Sequence, residues 1–218
     1  MKRLLPALLT LTLFLLAACL SGGGTDVGNP EVAARVTGSL QHQDGSPAAL
    51  ISIHLRPEAF LTNPDSLPLP DGKSVQDGFS DTQGFFTFDS VPKGEYRLEA
   101  VESEDRGAVL EISADGKQDH LALGPMILDA TGSITGHINY LRPIKVGPPK
   151  IIIAVYGSNR WTASTINGQF TFSNLPPGSY TLHVSTNTDS DTTFTAEFPP
   201  LVLHAGESVS VGSVDLGQ

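Results

Sequence analysis

The chain has 218 residues, of which 23 are Asp or Glu and 13 are Lys or Arg, giving a formal net charge of −10. This acidic balance argues against a nucleic-acid-binding protein, and the single cysteine excludes an intramolecular disulfide framework and a multi-cysteine metal site. The 22 Gly and 16 Pro favour turns over long helices, while 39% hydrophobic residues suffice for a packed core.

The N-terminus has the pattern of a secretory signal. Two basic residues precede the mostly apolar stretch 4–16, and small residues follow it. Leu16-Ala17-Ala18-Cys19 resembles the lipobox of bacterial lipoprotein precursors. The resemblance implies cleavage after residue 18 and a lipid on Cys19 that anchors the chain in a membrane. Because Leu20 rather than Asp follows, it also implies the outer membrane. A plain secretory signal is the alternative.

Residues 19–32 predict a flexible linker behind the lipidated cysteine. The segment is rich in glycine and has few side chains that could be buried. Such segments behave as flexible coil, and a run of ten residues spans on the order of 20 Å. We therefore expect a tether between the signal peptide (1–18) and the folded part of the chain.

The rest of the chain carries one pattern twice. Asp81–Leu98 recurs as Thr165–Leu182, with Gly, Phe, Thr, Phe, Pro, Gly, Tyr and Leu at matching positions. Two long repeats predict tandem domains at 33–129 and 130–218, because short solenoid repeats need several neighbours to bury a core. The first copy is longer, and Pro57–Gly72, with four prolines, is expected to be an irregular insertion.

Each copy predicts β-structure. The aromatic pairs Phe86/Phe88 and Phe170/Phe172 alternate with polar residues, and this period of two places each pair on one face of a sheet. Asn167-Gly168 is typical of a two-residue type I′ hairpin turn.

With that two-residue turn, Ala163 would lie opposite Phe172, and Trp161 would close one end of the core. An exposed Trp161 would instead form a sugar-stacking platform with Tyr156 and Arg160. These three residues are the candidate ligand contacts.

The order of these motifs resembles the carboxypeptidase regulatory-like domain. Val36-Thr37-Gly38 or its counterpart opens each copy; a glycine turn, Phe-x-Phe, and Val-Pro-Lys-Gly-Glu-Tyr or its counterpart follow. The resemblance implies a seven-stranded, transthyretin-like β-sandwich in each copy and a structural or interactive role. The expected fold is therefore all-β, with two tandem sandwiches after the signal peptide and linker.

The resemblance implies no catalytic residues, and we identify no catalytic, cofactor or metal site in the sequence. The six histidines show no pairing at spacings of two or four residues, so we expect them on solvated surfaces. The expected function is non-catalytic: a cell-envelope lipoprotein that is a surface spacer or binds a protein or glycan partner. The alternatives are a carbohydrate-binding lipoprotein that assists glycan-degrading enzymes, and an accessory subunit of an envelope complex that docks through Pro57–Gly72.

Overall fold

The computed structural model describes residues 32–62, 75–141, 150–187 and 194–217, and every regular element in these ranges is a β-strand. The first half contains β1 (Ala34–Gln41), β2 (Ser52–Pro57), β3 (Gln76–Phe79), β4 (Phe85–Val91), β5 (Gly94–Ser103), β6 (Arg106–Ala114), β7 (His120–Ile127) and β8 (Asp129–Ala130). The second half contains β9 (Gly132–Tyr140), β10 (Lys150–Val155), β11 (Trp161–Ala163), β12 (Gln169–Leu175), β13 (Gly178–Tyr180), β14 (Leu182–Asn187), β15 (Thr195–Glu197), β16 (Leu201–Leu203) and β17 (Ser208–Leu216). The all-β prediction is confirmed.

Strands β1–β8 form sandwich 1. One sheet has the order β4-β1-β7 and the other has the order β3-β2-β5-β6-β8. Successive residues of a strand face opposite sides, so every second side chain points between the sheets. The buried cluster between them includes Phe86 and Phe88 from one sheet and Ile53 and Leu98 from the other.

Strands β9–β17 form sandwich 2, with the sheets β12-β9-β17 and β11-β10-β14-β15 and the two-stranded pair β13-β16. The repeat explains the small pair, because β13 and β14 together correspond to the single strand β5. A break at Thr181 divides them. The core of sandwich 2 includes Phe170, Phe172, Ile153 and Leu182.

The two halves have separate hydrophobic clusters, yet Glu31–Gln218 form one compact unit. The repeat therefore corresponds to two cores, whereas the division into domains after residue 129 remains a prediction. Val32, assigned to the linker by its sequence, donates its N–H to the carbonyl oxygen of Gly116 at 3.2 Å. The last residue of the predicted linker is thus paired with sandwich 1.

The turn before each Phe-x-Phe strand differs from the predicted type I′ turn. Thr165 N–H donates to the Gln169 oxygen at 2.7 Å, and Gly168 N–H donates to the Thr165 oxygen at 2.9 Å, so the loop has three residues. Gly168 has a φ of 81°, whereas Asn167 is not among the residues with positive φ. A type I turn followed by one left-handed glycine fits these bonds. Gly84 (φ 82°) ends the same turn in sandwich 1.

This turn also connects two different sheets. β11 pairs with β10, with Ala163 opposite Ile152, while β12 pairs with β9. The predicted pairing of Ala163 with Phe172 is therefore wrong. The predicted core position of Trp161 is wrong for the same reason, and its side chain is 41% exposed.

Candidate functional site

A buried polar cluster lies between the two sandwiches. β2 and β5 are neighbours in sandwich 1, and their alternation turns Arg56, Arg97 and Glu99 away from its core. Such positions are expected in solvent, yet these residues are only 3%, 4% and 5% exposed. Burying a charge is costly unless the charge is paired and hydrogen-bonded. Sandwich 2 supplies the partners, and we call Arg56, Arg97 and Glu99, together with Ser158 and Arg160, the junction cluster.

Glu99 is the acidic centre of the junction cluster. It accepts a short hydrogen bond from Nε of Arg160, and the hydroxyl of Ser158 donates to its other carboxylate oxygen at 2.7 Å. Burial raises the pKa of the Glu99 carboxyl, but the charge of Arg160 and these hydrogen bonds outweigh burial, so its pKa lies below the ordinary value. Glu99 is thus held as a carboxylate inside the protein.

Arg97 contacts sandwich 2 through its backbone and an aromatic ring. Its Nη1 donates to the carbonyl oxygen of Ser179 at 2.7 Å, and its guanidinium carbon lies 4.5 Å from the ring centre of Tyr180. Nε and Nη2 have no hydrogen-bond partner. The guanidinium thus keeps a cation–π contact where hydrogen bonding is incomplete, and such contacts strengthen when they are shielded from water.

Arg56 links the edge of sandwich 1 to the same loop of sandwich 2. Its Nε donates to the side-chain oxygen of Asn159 at 2.9 Å, and its Nη2 donates to Asp77 at 2.6 Å. Nη1 donates to the carbonyl oxygens of Leu55 and Gln76. Every nitrogen of this buried guanidinium therefore has an acceptor, as expected of a native buried charge.

Backbone contacts reinforce the junction. Gly157 N–H donates to the carbonyl oxygen of Phe60 at 2.8 Å, and Leu61 forms a parallel bridge with Ser158. Gly157 has a φ of 67°, and an added Cβ would lie 3.0 Å from the Cβ of Arg97. Glycine thus meets both the turn and the close approach of the sandwiches. Residues 58–62 of the predicted insertion therefore contact the second half of the same chain; residues 63–72 lie outside the described residues.

The candidate ligand contacts predicted from sequence separate in the structure. Trp161 lies on edge strand β11, opposite Ala154 of β10. Tyr156 follows β10, two residues after Ala154, and therefore shares the face of Trp161. Arg160 is instead paired with Glu99 in the junction cluster. Cys19, the predicted lipid site, lies outside the described residues, as do the signal peptide and most of the predicted linker.

Two residues that the sequence did not single out join Tyr156 on this sheet face. The hydroxyl of Tyr156 donates to the carboxylate of Glu197 at 2.6 Å, and the ring of His183 meets the ring of Tyr156 edge-on at 5.7 Å between centres. The hydrogen bond to Glu197, with smaller contributions from burial and from the carboxylate charge, raises the pKa of Tyr156 to about 12. The tyrosine thus keeps its proton at neutral pH and directs it at Glu197.

Register was the information missing from the sequence. His183 lies opposite Ala154, and Glu197 lies opposite His183, but both residues are far from Trp161 along the chain. A lone His and a lone Glu carry no local signal for a shared site.

Two further searches cover the described residues alone. No group of three or more His, Cys, Asp or Glu side chains there could hold a metal ion. The same ranges contain no helix long and apolar enough to cross a membrane.

Comparisons with known proteins give only remote likenesses. No family model matches the chain, and no curated protein matches it. The chain is similar to the TIE protein of Bacillus anthracis at 14% identity and a TM-score of 0.32, covering 85% of this chain and 34% of that one. It thus spans about a third of that protein.

Two other solved structures are similarly distant. The minor pilin GBS52 of Streptococcus agalactiae matches at 15% identity and a TM-score of 0.37, covering 84% of this chain and 95% of that one. A putative carbohydrate-binding protein of Pseudomonas aeruginosa matches at 17% identity and a TM-score of 0.28, covering 44% of this chain and 90% of that one. TM-scores this low give no basis for transferring a function.

Proposed function

We propose that this chain is a non-catalytic module of the bacterial cell surface that presents two β-sandwiches in one fixed relative geometry. The junction cluster supports the proposal. Domains in one chain are expected to move relative to one another unless their interface prevents it. Here the interface buries Arg56, Arg97 and Glu99, so a rotated arrangement would leave a buried charge without its partner.

The cost of such mispairing favours one orientation. A buried charge that loses its partner destabilises a protein by about 3–5 kcal/mol, whereas a correctly paired buried ion pair contributes little net stability. The junction cluster therefore acts on specificity more than on strength. A spacer or presenting module needs this property, because it must hold its far end in a defined position.

Anchoring is the second part of the proposal. The lipobox Leu16–Cys19 supports lipidation of Cys19, and the glycine-rich segment behind it supports a flexible tether. We infer attachment to the outer membrane from Leu20. The expected module is thus movable on its tether but internally rigid.

Two measurements test these parts separately. With Cys19→Ser, we expect the protein to leave the membrane fraction; unchanged partitioning would overturn the anchor. In the same Cys19→Ser chain, spin labels at Thr87→Cys and Thr171→Cys, which are exposed and equivalent in the repeat, should give one narrow distance distribution. A broad distribution would overturn the fixed geometry. Arg160→Ala should broaden it, whereas Arg35→Ala, which removes an exposed ion pair with Asp89, should not.

A further inference from the structure

The outer face of one sheet in sandwich 2 carries a row of residues from four neighbouring strands. The register places Trp161 of β11, Ala154 of β10, His183 of β14 and Glu197 of β15 side by side. The opposite face of this sheet packs into the core through residues such as Ile153. The row is therefore not needed to fill the interior.

The row has an aromatic end and a polar end. Trp161 is 41% exposed at the edge strand, and Lys150 Nζ lies 5.9 Å from its ring centre. Ala154 is buried and has only a methyl group, so no bulky side chain stands between the indole and His183. Strands in a sheet lie about 4.8 Å apart, so the backbones of Trp161 and Glu197 are about 14 Å apart.

The polar end is organised before any ligand arrives. Tyr156 donates to Glu197 at 2.6 Å, and His183 Nδ1 lies 3.7 Å from the same carboxylate oxygen. The Glu197 side chain is 55% exposed, so its carboxylate can accept further hydrogen bonds from outside. Polar groups held in place by their neighbours lose little entropy on binding.

These features select a class of ligand. The exposed indole suits a flat surface of C–H groups, and the carboxylate, phenol and imidazole suit hydroxyl groups beside it. A purely apolar partner would leave the Glu197 charge unpaired. A polyanion would meet a chain of net charge −10 and a carboxylate in the row. A neutral sugar offers both C–H faces and hydroxyls without charge.

We propose that Trp161, Tyr156, His183 and Glu197 form a binding face for a neutral glycan, with Trp161 stacking on a sugar ring and Glu197 accepting from its hydroxyls. The face differs from the platform predicted from sequence, because Arg160 is not part of it and His183 and Glu197 are. This inference goes beyond the proposed spacer role, and a spacer of fixed geometry needs no glycan site.

Trp161 is the only tryptophan in the chain, so intrinsic fluorescence reports on this face alone. We would titrate the full chain carrying Cys19→Ser with cellohexaose, maltohexaose and chitotetraose, and repeat each titration by calorimetry. We expect at least one of these probes to give a saturable change in fluorescence and heat. The absence of both signals for all three probes would overturn the proposal, as would binding confined to polygalacturonate or single-stranded DNA.

Variants assign the binding to the row. Trp161→Ala and Glu197→Ala should each weaken calorimetric binding by about tenfold or more. Ile166→Ala removes another exposed apolar side chain of sandwich 2 and should leave affinity unchanged. Equal affinity in Trp161→Ala and the parent would overturn the proposal. If Trp161→Ala unfolds, Trp161→Phe tests the same contact, and Glu197→Ala tests the polar end independently.

Discussion

The ring of Phe86 lies against the backbone of Gly38 on the neighbouring strand, with the two residues directly opposite in the register. A Cβ added at Gly38 would lie 2.5 Å from Cζ of Phe86, too close for real atoms. Gly136 and Phe170 repeat the arrangement in sandwich 2, also at 2.5 Å. The glycine of the Val-Thr-Gly motif is thus required by the phenylalanine of the Phe-x-Phe motif, which covers the space that a side chain would fill.

We expect Gly38→Ala and Gly136→Ala to lower the free energy of unfolding by about 1–3 kcal/mol each, because overpacking forces a buried ring out of place. Urea unfolding measures the change. Gly124→Ala is the matched control, because a Cβ there meets nothing within 4 Å. A loss at Gly124 as large as at Gly38 would show that the effect comes from glycine flexibility and not from the ring.

The repeat allowed the core to be predicted because its signals are local. Phe86 and Phe88 are two residues apart, and alternation alone assigns them to one face. Trp161 was misassigned because the number of residues in a turn decides which sheet the next strand joins. The junction cluster was invisible for a different reason: Glu99 and Arg160 come from segments whose alternation is typical of solvated faces, and no pattern in a single sequence pairs them.

The junction cluster makes a second prediction. Arg160→Ala should destabilise the protein by about 3–5 kcal/mol, because it leaves the Glu99 carboxylate buried without its partner. The double variant Glu99→Leu/Arg160→Leu should recover most of this loss, since it removes both charges together. Urea unfolding of the two variants and the parent gives the comparison.

The exposed pair of Arg35 and Asp89 serves as its control. Both side chains are largely in solvent, and exposed ion pairs contribute about 0–1 kcal/mol. Arg35→Ala should therefore change stability only slightly. If Arg160→Ala is no more harmful than Arg35→Ala, water reaches Glu99 and the junction is not a closed interface.

Acid should weaken the junction in a defined pH range. The pKa of Glu99 is lowered on folding from an ordinary value of 4.5. A lowered pKa gives stability that is present above pH 4.5 and is lost as pH falls through the folded-state pKa. The stability difference between the parent and Glu99→Gln should therefore be constant near neutral pH and shrink below pH 4.5. The double leucine variant has neither charge and should lack this component. A difference that grows on acidification would contradict the assignment.

Tyr156 should ionise late. Its pKa is raised to about 12 from an ordinary 10.0, chiefly by the hydrogen bond to Glu197. The difference in tyrosinate absorbance between the parent and Tyr156→Phe isolates this residue among the four tyrosines, and its midpoint should lie near 12. In a Glu197→Gln background the same difference should titrate closer to 10.0, because the amide is a weaker acceptor and carries no charge. The sign for stability is the reverse of that for Glu99: a raised pKa gives stability present below pH 10.0 and lost as pH rises through about 12. An unshifted midpoint in the parent would mean that Tyr156 does not donate to Glu197, and the polar end of the proposed glycan face would then lack its preset acceptor.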